Sequence, residues 1–167
     1  MKKLTTFCWI AIAAFSTAGC DEEAEGTDLM LYNMAVDSQG HVWYKNSDAD
    51  LNKSSGSGHN YDHLRTRYNA EAATKLDGDG KVMDGADFPD GALIVKELYD
   101  NPGSVERYAI MWKQTGHADA DAEGWVWGYV NSDATVSAPA SDKGDGCVSC
   151  HQQAGHIDQT LMNKFFP

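Results

Sequence analysis

The sequence predicts an α+β domain, an antiparallel β-sheet with helices packed to one side, on three observations. Four β-rich segments between residues 63 and 131 alternate apolar with polar positions, as half-buried strands do. The stretches between them are dense in Gly, Asp, Asn and Pro, the residues of turns. Segments of helical composition gather at the C-terminal end rather than following each strand, so no βαβ unit is present. No internal repeat is visible.

Along the chain, "LMLYNMAV" reads as a short helix or a strand, "HVWYKN" as a short β-rich piece and "SSGSGHN" as a loop. "HLRTRYN" reads as a strand with Leu64, Thr66 and Tyr68 on one face, and "AEAATKL" as one or two helical turns. "DGDGKVMDGADFPDG" is a long polar loop. It resembles part of a calcium loop but lacks the EF-hand spacing and terminal glutamate, and a solvated acidic loop is the simpler reading. "ALIVKELY" and "ERYAIMWKQ" form a hairpin through "DNPGSV". "EGWVWGYVN" is a further strand, with Trp125, Trp127 and Tyr129 together as core or as a cofactor wall. "CVSCHQQAG" and "DQTLMNKFF" read as helices, with Met162 a core residue of the second.

The N-terminus, "MKKLTTFCWIAIAAFSTAGC", has two lysines and then an apolar run too short to span a bilayer. Small residues precede Cys20. This is the layout of a bacterial lipoprotein signal over residues 1–19, with Cys20 lipidated, although Thr17 stands where leucine is more usual. An ordinary cleaved signal with an incidental cysteine is the alternative. Either predicts export to the periplasmic side of a bacterial membrane, and the first adds membrane contact through a lipid anchor only. The acidic stretch over 20–28 reads as a tether, and 29–167 as the folded domain.

The signal contains two lysines and no acid, which leaves 11 basic against 25 acidic residues and a net charge of −14. Such a charge argues against nucleic acid and anionic lipid as partners and suits a basic protein partner. With Cys8 in the signal and Cys20 lipidated, Cys147 and Cys150 are the only thiols left, so no long-range disulfide framework is expected.

Those two cysteines belong to Cys147-Val-Ser-Cys150-His151. Covalent haem attachment needs two thiols one helical turn apart and an adjacent imidazole for the iron, which this pentapeptide supplies in order. Zinc would need a second ligand pair, for which His156 is only a partial candidate. A redox dithiol would usually open a helix in a βαβ unit. Only 16 residues follow His151, so the second iron face must be covered by the upstream sheet. His59, His63 and His117 read as surface or loop histidines.

"CVSCHQQAGHIDQTLMNKFFP", "FPDGALIVKEL" and "LRTRYN" together resemble the cytochrome P-460 family, whose sister group is the cytochrome c′-beta proteins. The resemblance covers roughly 59–167. It implies one haem c bound through Cys147 and Cys150, with His151 the proximal iron ligand and the haem five-coordinate. It also implies a homodimer, a small nitrogenous ligand (hydroxylamine or nitric oxide) and an electron-acceptor protein such as another cytochrome. P-460 members oxidise hydroxylamine, chiefly to nitrous oxide, whereas cytochrome c′-beta proteins bind gases without that chemistry. A plain electron carrier, with a methionine as sixth ligand, is a third class.

In P-460 proteins a lysine is bonded to a haem meso carbon, and Lys96 is its match. From the residues alone, Lys96 shares a strand face with Ala92, Ile94 and Leu98, where lost solvation would lower its pKa and make it nucleophilic. The alternative is a lysine snorkelling from a strand edge. Arg65 matches an arginine the family places in the haem pocket, yet it also alternates with Arg67 on a face that acids could pair. The proton-moving carboxylate of catalytic members has no clear counterpart: Glu97 alternates away from Lys96, and Glu106 and Glu123 sit near turns.

Overall fold

A computed structural model describes residues 22–167; the stretch read as a signal over 1–19 and Cys20 lie outside the described residues. Its frame is a seven-stranded antiparallel sheet in which the last five strands each pair with the next in sequence. β1 (Val42–Trp43) and β2 (Leu51–Asn52) both pair with β3 (His63–Tyr68). The sheet continues through β4 (Leu93–Tyr99), β5 (Arg107–Lys113), β6 (Trp125–Asn131) and β7 (Val136–Ala138). The helices are α1 (Gly26–Val36), α2 (Ala70–Ala73), α3 (Val148–His151) and α4 (Met162–Phe165).

Strand alternation splits the core in two. One face carries Leu64, Tyr68, Ile94, Leu98, Met111, Trp125 and Trp127, packed against Phe88, Val82 and Met162. The other carries Leu93, Val95, Ile110, Val126 and Val130, packed against Leu31 and Ala35 of α1. Helices therefore lie on both faces. The α+β class holds, but the expectation of helices on one side is corrected: α1 covers the face opposite α3 and α4.

Gly128, in the middle of β6, explains how closely α1 docks. A Cβ there would stand 2.8 Å from Leu31 Cδ1, so only glycine leaves room. The far end of α1 has no basic residue in its last turn. Arg67 of β3 serves there instead: its guanidinium, 1% exposed, donates to the carbonyls of Ala35 and Asp37 (3.3 Å), to His41 Nδ1 (2.6 Å) and to Glu97 (2.9 Å). Positive charge against the terminal carbonyls of a helix is where the helix dipole favours it.

The boundary at the tether also shifts. Glu22–Ala24 run along the β7 turn, with Val136 N donating to Glu22 O at 2.8 Å and Ala24 N to Ala134 O at 2.8 Å. Asp28 in turn accepts from Ala140 N at 2.9 Å. Residues 22–28 are part of the fold, because their backbone groups complete a sheet edge that would otherwise be open. Among the described residues no helix is long and apolar enough to cross a membrane.

Candidate functional site

The sheet face opposite α1 floors a cavity of about 360 Å³. Register sets the floor in two rows of facing residues: Thr66, Lys96, Ala109 and Tyr129, then Tyr68, Ile94, Met111 and Trp127. The 56–59 loop, α3 and the chain from Leu161 to Phe166 close the other side. Most of this lining is apolar or aromatic, as in sites that bury a flat organic ligand.

α3 delivers the cysteines and His151 together. Cys147 caps the helix, His151 N donates to Cys147 O at 3.0 Å, and all three side chains border the cavity. Both thiols are free; Cys147 is half-buried and Cys150 exposed. Gly144, just before the helix, lies against Trp127, where a Cβ would fall 2.5 Å from Trp127 Cδ1. With φ at +76° that position is open to glycine alone, so α3 sits down onto the indole.

His151 is committed at one nitrogen. Nδ1 lies 2.7 Å from Gln159 O, a distance at which Nδ1–H donates to the carbonyl and Nε2 is left as the nitrogen for a metal. The carbonyl is aimed by a tight turn in which Asp158 and Gln159 both take left-handed φ values, 42° and 63°. Asp121 braces the arrangement: its Oδ2 accepts from Gln159 Nε2 at 3.0 Å and from Trp127 Nε1 at 2.8 Å. Trp127 meets the imidazole edge-on, with centroids 4.9 Å apart. Burial, helped by the Lys96 charge, pushes the His151 pKa down to about 4 and keeps the ring neutral, as a metal ligand must be. Burial raises the Cys147 thiol, and the nearby Cys150, Asp142 and Asp145 raise it further.

Lys96 projects into the same cavity, on the face shared with Ala92, Ile94 and Leu98. Loss of solvation pushes its pKa down to about 8. Its Nζ lies 3.3 Å from His59 Nε2, whose Nδ1 lies 3.4 Å from the Tyr129 hydroxyl. His59, expected as a surface or loop histidine, is a loop residue, but the loop turns it into the cavity. Burial, then the charges of Lys96 and His151, depress its pKa strongly. A histidine in a Gly/Ser loop 37 positions from its partner gives no periodic signal in sequence.

Arg65 corrects the other way. It points to the α1 face, bonded to Glu97 at 2.6 Å and stacked between Trp43 and Tyr99, so it is not a cavity residue. Glu97 is on that same far face, and Glu106 accepts from Asp100 N at a turn. Among the described residues the one carboxylate bordering the cavity is exposed Asp145, beside Cys147. Met162 lies in the cavity wall, its sulfur taking the Thr66 hydroxyl at 3.3 Å. Among the described residues no three His, Cys, Asp or Glu side chains gather to hold a metal ion.

These residues fit a haem. The walls are apolar, one imidazole is fixed in the tautomer that frees Nε2, and two thiols stand at the rim. The Tyr68 hydroxyl, fully buried on the floor, has no hydrogen-bond partner within the protein, which marks room for a polar edge of a bound group. Fold and site together describe a haem-binding protein of the antiparallel-sheet kind. The family model for cytochrome P460 matches residues 43–161, and the chain belongs to that family, which implies a haem cofactor. No curated protein and no solved structure matches the chain.

Proposed function

We propose that the protein is an exported c-type cytochrome that oxidises hydroxylamine, with one haem held by thioether bonds to Cys147 and Cys150 and by His151 Nε2. The observation that carries this reading is the shared cavity: the CxxCH residues and the buried amine of Lys96 face one apolar space. The haem, when bound, supplies the redox chemistry and the open iron face. The chain's own residues hold and shield it. Gln159 O fixes the His151 ring, Trp127 walls its edge, and the apolar rows on the floor exclude water. Lys96, with its solvation reduced, is the nucleophile that bonds to the porphyrin. The electrons pass to an acceptor protein, for which the net charge of −14 favours a basic face. Lipidation at Cys20 would keep the domain at the periplasmic side of a membrane.

A second reading is a gas-binding protein of the cytochrome c′-beta kind. The absence of any buried carboxylate from the described cavity lining favours it, since hydroxylamine oxidation releases protons that a base must take. The discriminating experiment is single-turnover oxidation of hydroxylamine by the exported holoprotein, alongside mass spectrometry of its haem peptide. Nitrous or nitric oxide, with the Lys96 peptide retained on the haem, is the expected result. Hydroxylamine binding without either product, and a free Lys96 peptide, would leave the gas-binding reading. A haem-free protein with intact thiols would end both.

A further inference from the structure

The nitrogen of Lys96 has one polar neighbour, and that neighbour has another. Nζ is a donor in its ammonium form, so His59 Nε2, 3.3 Å away, must be the acceptor. The ring proton then sits on Nδ1 and points at the Tyr129 oxygen, 3.4 Å off. Tyr129 is half-buried and lies against Arg107, whose guanidinium is 4.7 Å from its ring. His59, on the covering 56–59 loop, thus bridges two residues of the cavity floor, Lys96 and the half-buried Tyr129. The other charged or titratable groups acting on His59 are His151 from α3 and Lys53 beyond β2, both basic, with no acid beside them among the described residues.

We infer that His59 and Tyr129 form a proton outlet for Lys96, used once, when Lys96 bonds to the porphyrin. The inference rests on the cross-linked haem proposed above. Joining an ammonium nitrogen to a meso C–H carbon removes three protons and two electrons. A peroxide can take the electrons: ammonium, C–H and hydrogen peroxide give the N–C bond, two waters and one proton. That single proton is what a neutral imidazole can pass on. Lys96 N–H is handed to Nε2 as Nδ1–H is handed to Tyr129, whose own proton leaves to solvent. The ring is never charged and ends in the opposite tautomer. A bond made once per molecule needs no reset, so one tautomer change suffices.

The test uses exported holoprotein, with the fraction of Lys96 peptide bonded to the haem peptide read by mass spectrometry. His59→Gln keeps an acceptor for Lys96 but cannot relay, and Tyr129→Phe keeps the ring but removes the next oxygen. Wild type is expected fully linked, His59→Gln less than one tenth linked, and Tyr129→Phe several-fold reduced, all with equal haem content. Unlinked His59→Gln holoprotein is then given hydrogen peroxide at pH 7 and pH 10. With the Lys96 pKa near 8, the neutral amine is about tenfold more abundant at pH 10, so linking should rise about tenfold there. A His59→Gln protein linked like wild type overturns the inference and leaves the proposed function standing. A defect unchanged between pH 7 and 10 overturns it too, since that is what a purely structural role gives. An unlinked wild type removes the cross-linked reading and this inference together. If His59→Gln fails to retain haem, full linking in Tyr129→Phe overturns the outlet.

Discussion

Replacing Lys96 with methionine keeps most of the side chain's length and apolar surface while removing an ammonium from an apolar floor. In the folded chain the Lys96 pKa is about 8, against 10.5 when solvated. The fold therefore disfavours the charged form. At about 1.4 kcal/mol for each pH unit, the penalty is up to about 3 kcal/mol wherever both states would be protonated. Losing the hydrogen bond to His59 returns about 1 kcal/mol, so the net expectation for Lys96→Met is about 2 kcal/mol of added stability at pH 7. The sign of the pH dependence follows. Between pH 8 and 10.5 the unfolded chain binds the extra proton, so wild type gains stability with rising pH and the variant's advantage disappears. Buried tyrosines keep their protons through this window when folded but lose them near 10 when unfolded, an opposing effect that is the same in both proteins and cancels in the difference. The assay is urea unfolding of haem-free protein carrying Cys147→Ser and Cys150→Ser, with and without Lys96→Met, at pH 7, 8.5 and 10. A variant no more stable than its parent at pH 7, or an advantage that does not shrink by pH 10, refutes the account of Lys96 as a desolvated amine.

Three more expectations concern the frame around the cavity. Glu97→Gln should cost about 3–5 kcal/mol in urea unfolding, because Arg67 is left buried without its carboxylate. Replacing the pair together, Arg67→Met with Glu97→Leu, should recover most of that. Gly128→Ala should cost about 1–3 kcal/mol by driving a methyl into Leu31, and Leu31→Val should relieve part of it, both read from thermal midpoints. Asp121→Ala should cost about 2–4 kcal/mol, since Trp127, Gln159 and the Trp125 amide all lose a charged acceptor. Near-UV circular dichroism would show Trp127 losing its fixed environment, and an unchanged spectrum would contradict the bracing role.

What could be read from the residues was whatever repeats at short range. Alternation alone puts Lys96 with Ile94 and Leu98, and Trp127 with Tyr129, and these residues do form one floor. The CxxCH spacing needs only one helical turn, which α3 supplies. The misplaced features depend on pairings across the chain. Alternation puts Arg65 on the face away from Thr66, but only the β3–β4 register, with Glu97 directly opposite, shows that this face is not the cavity. β7 is three residues long and exists because it completes the edge of β6, with Glu22 and Ala24 beyond it. The Asp158–Gln159 turn takes left-handed conformations at two non-glycine residues, which composition does not announce. His59 reaches Lys96 only because the 56–59 loop folds over the sheet.

The nearest-neighbour order of the strands has a consequence for how the molecule assembles. Each main strand pairs with the next in sequence, so the sheet can grow hairpin by hairpin with short loop closures. The segment after Gly144 takes part in none of those pairings and fastens instead to distant points. Asn163 and the Phe166 carbonyl take the Tyr44 hydroxyl, Met162 takes Thr66, and Asp158 takes the Phe88 amide. These are the entropically costly closures, and on loop-closure grounds they are expected after the hairpins. Building the floor and shutting the roof are thus separate steps, and the cysteines ride on the roof. A flat guest can be laid on a finished sheet and sealed in by the chain's final two dozen residues, without any strand having to part.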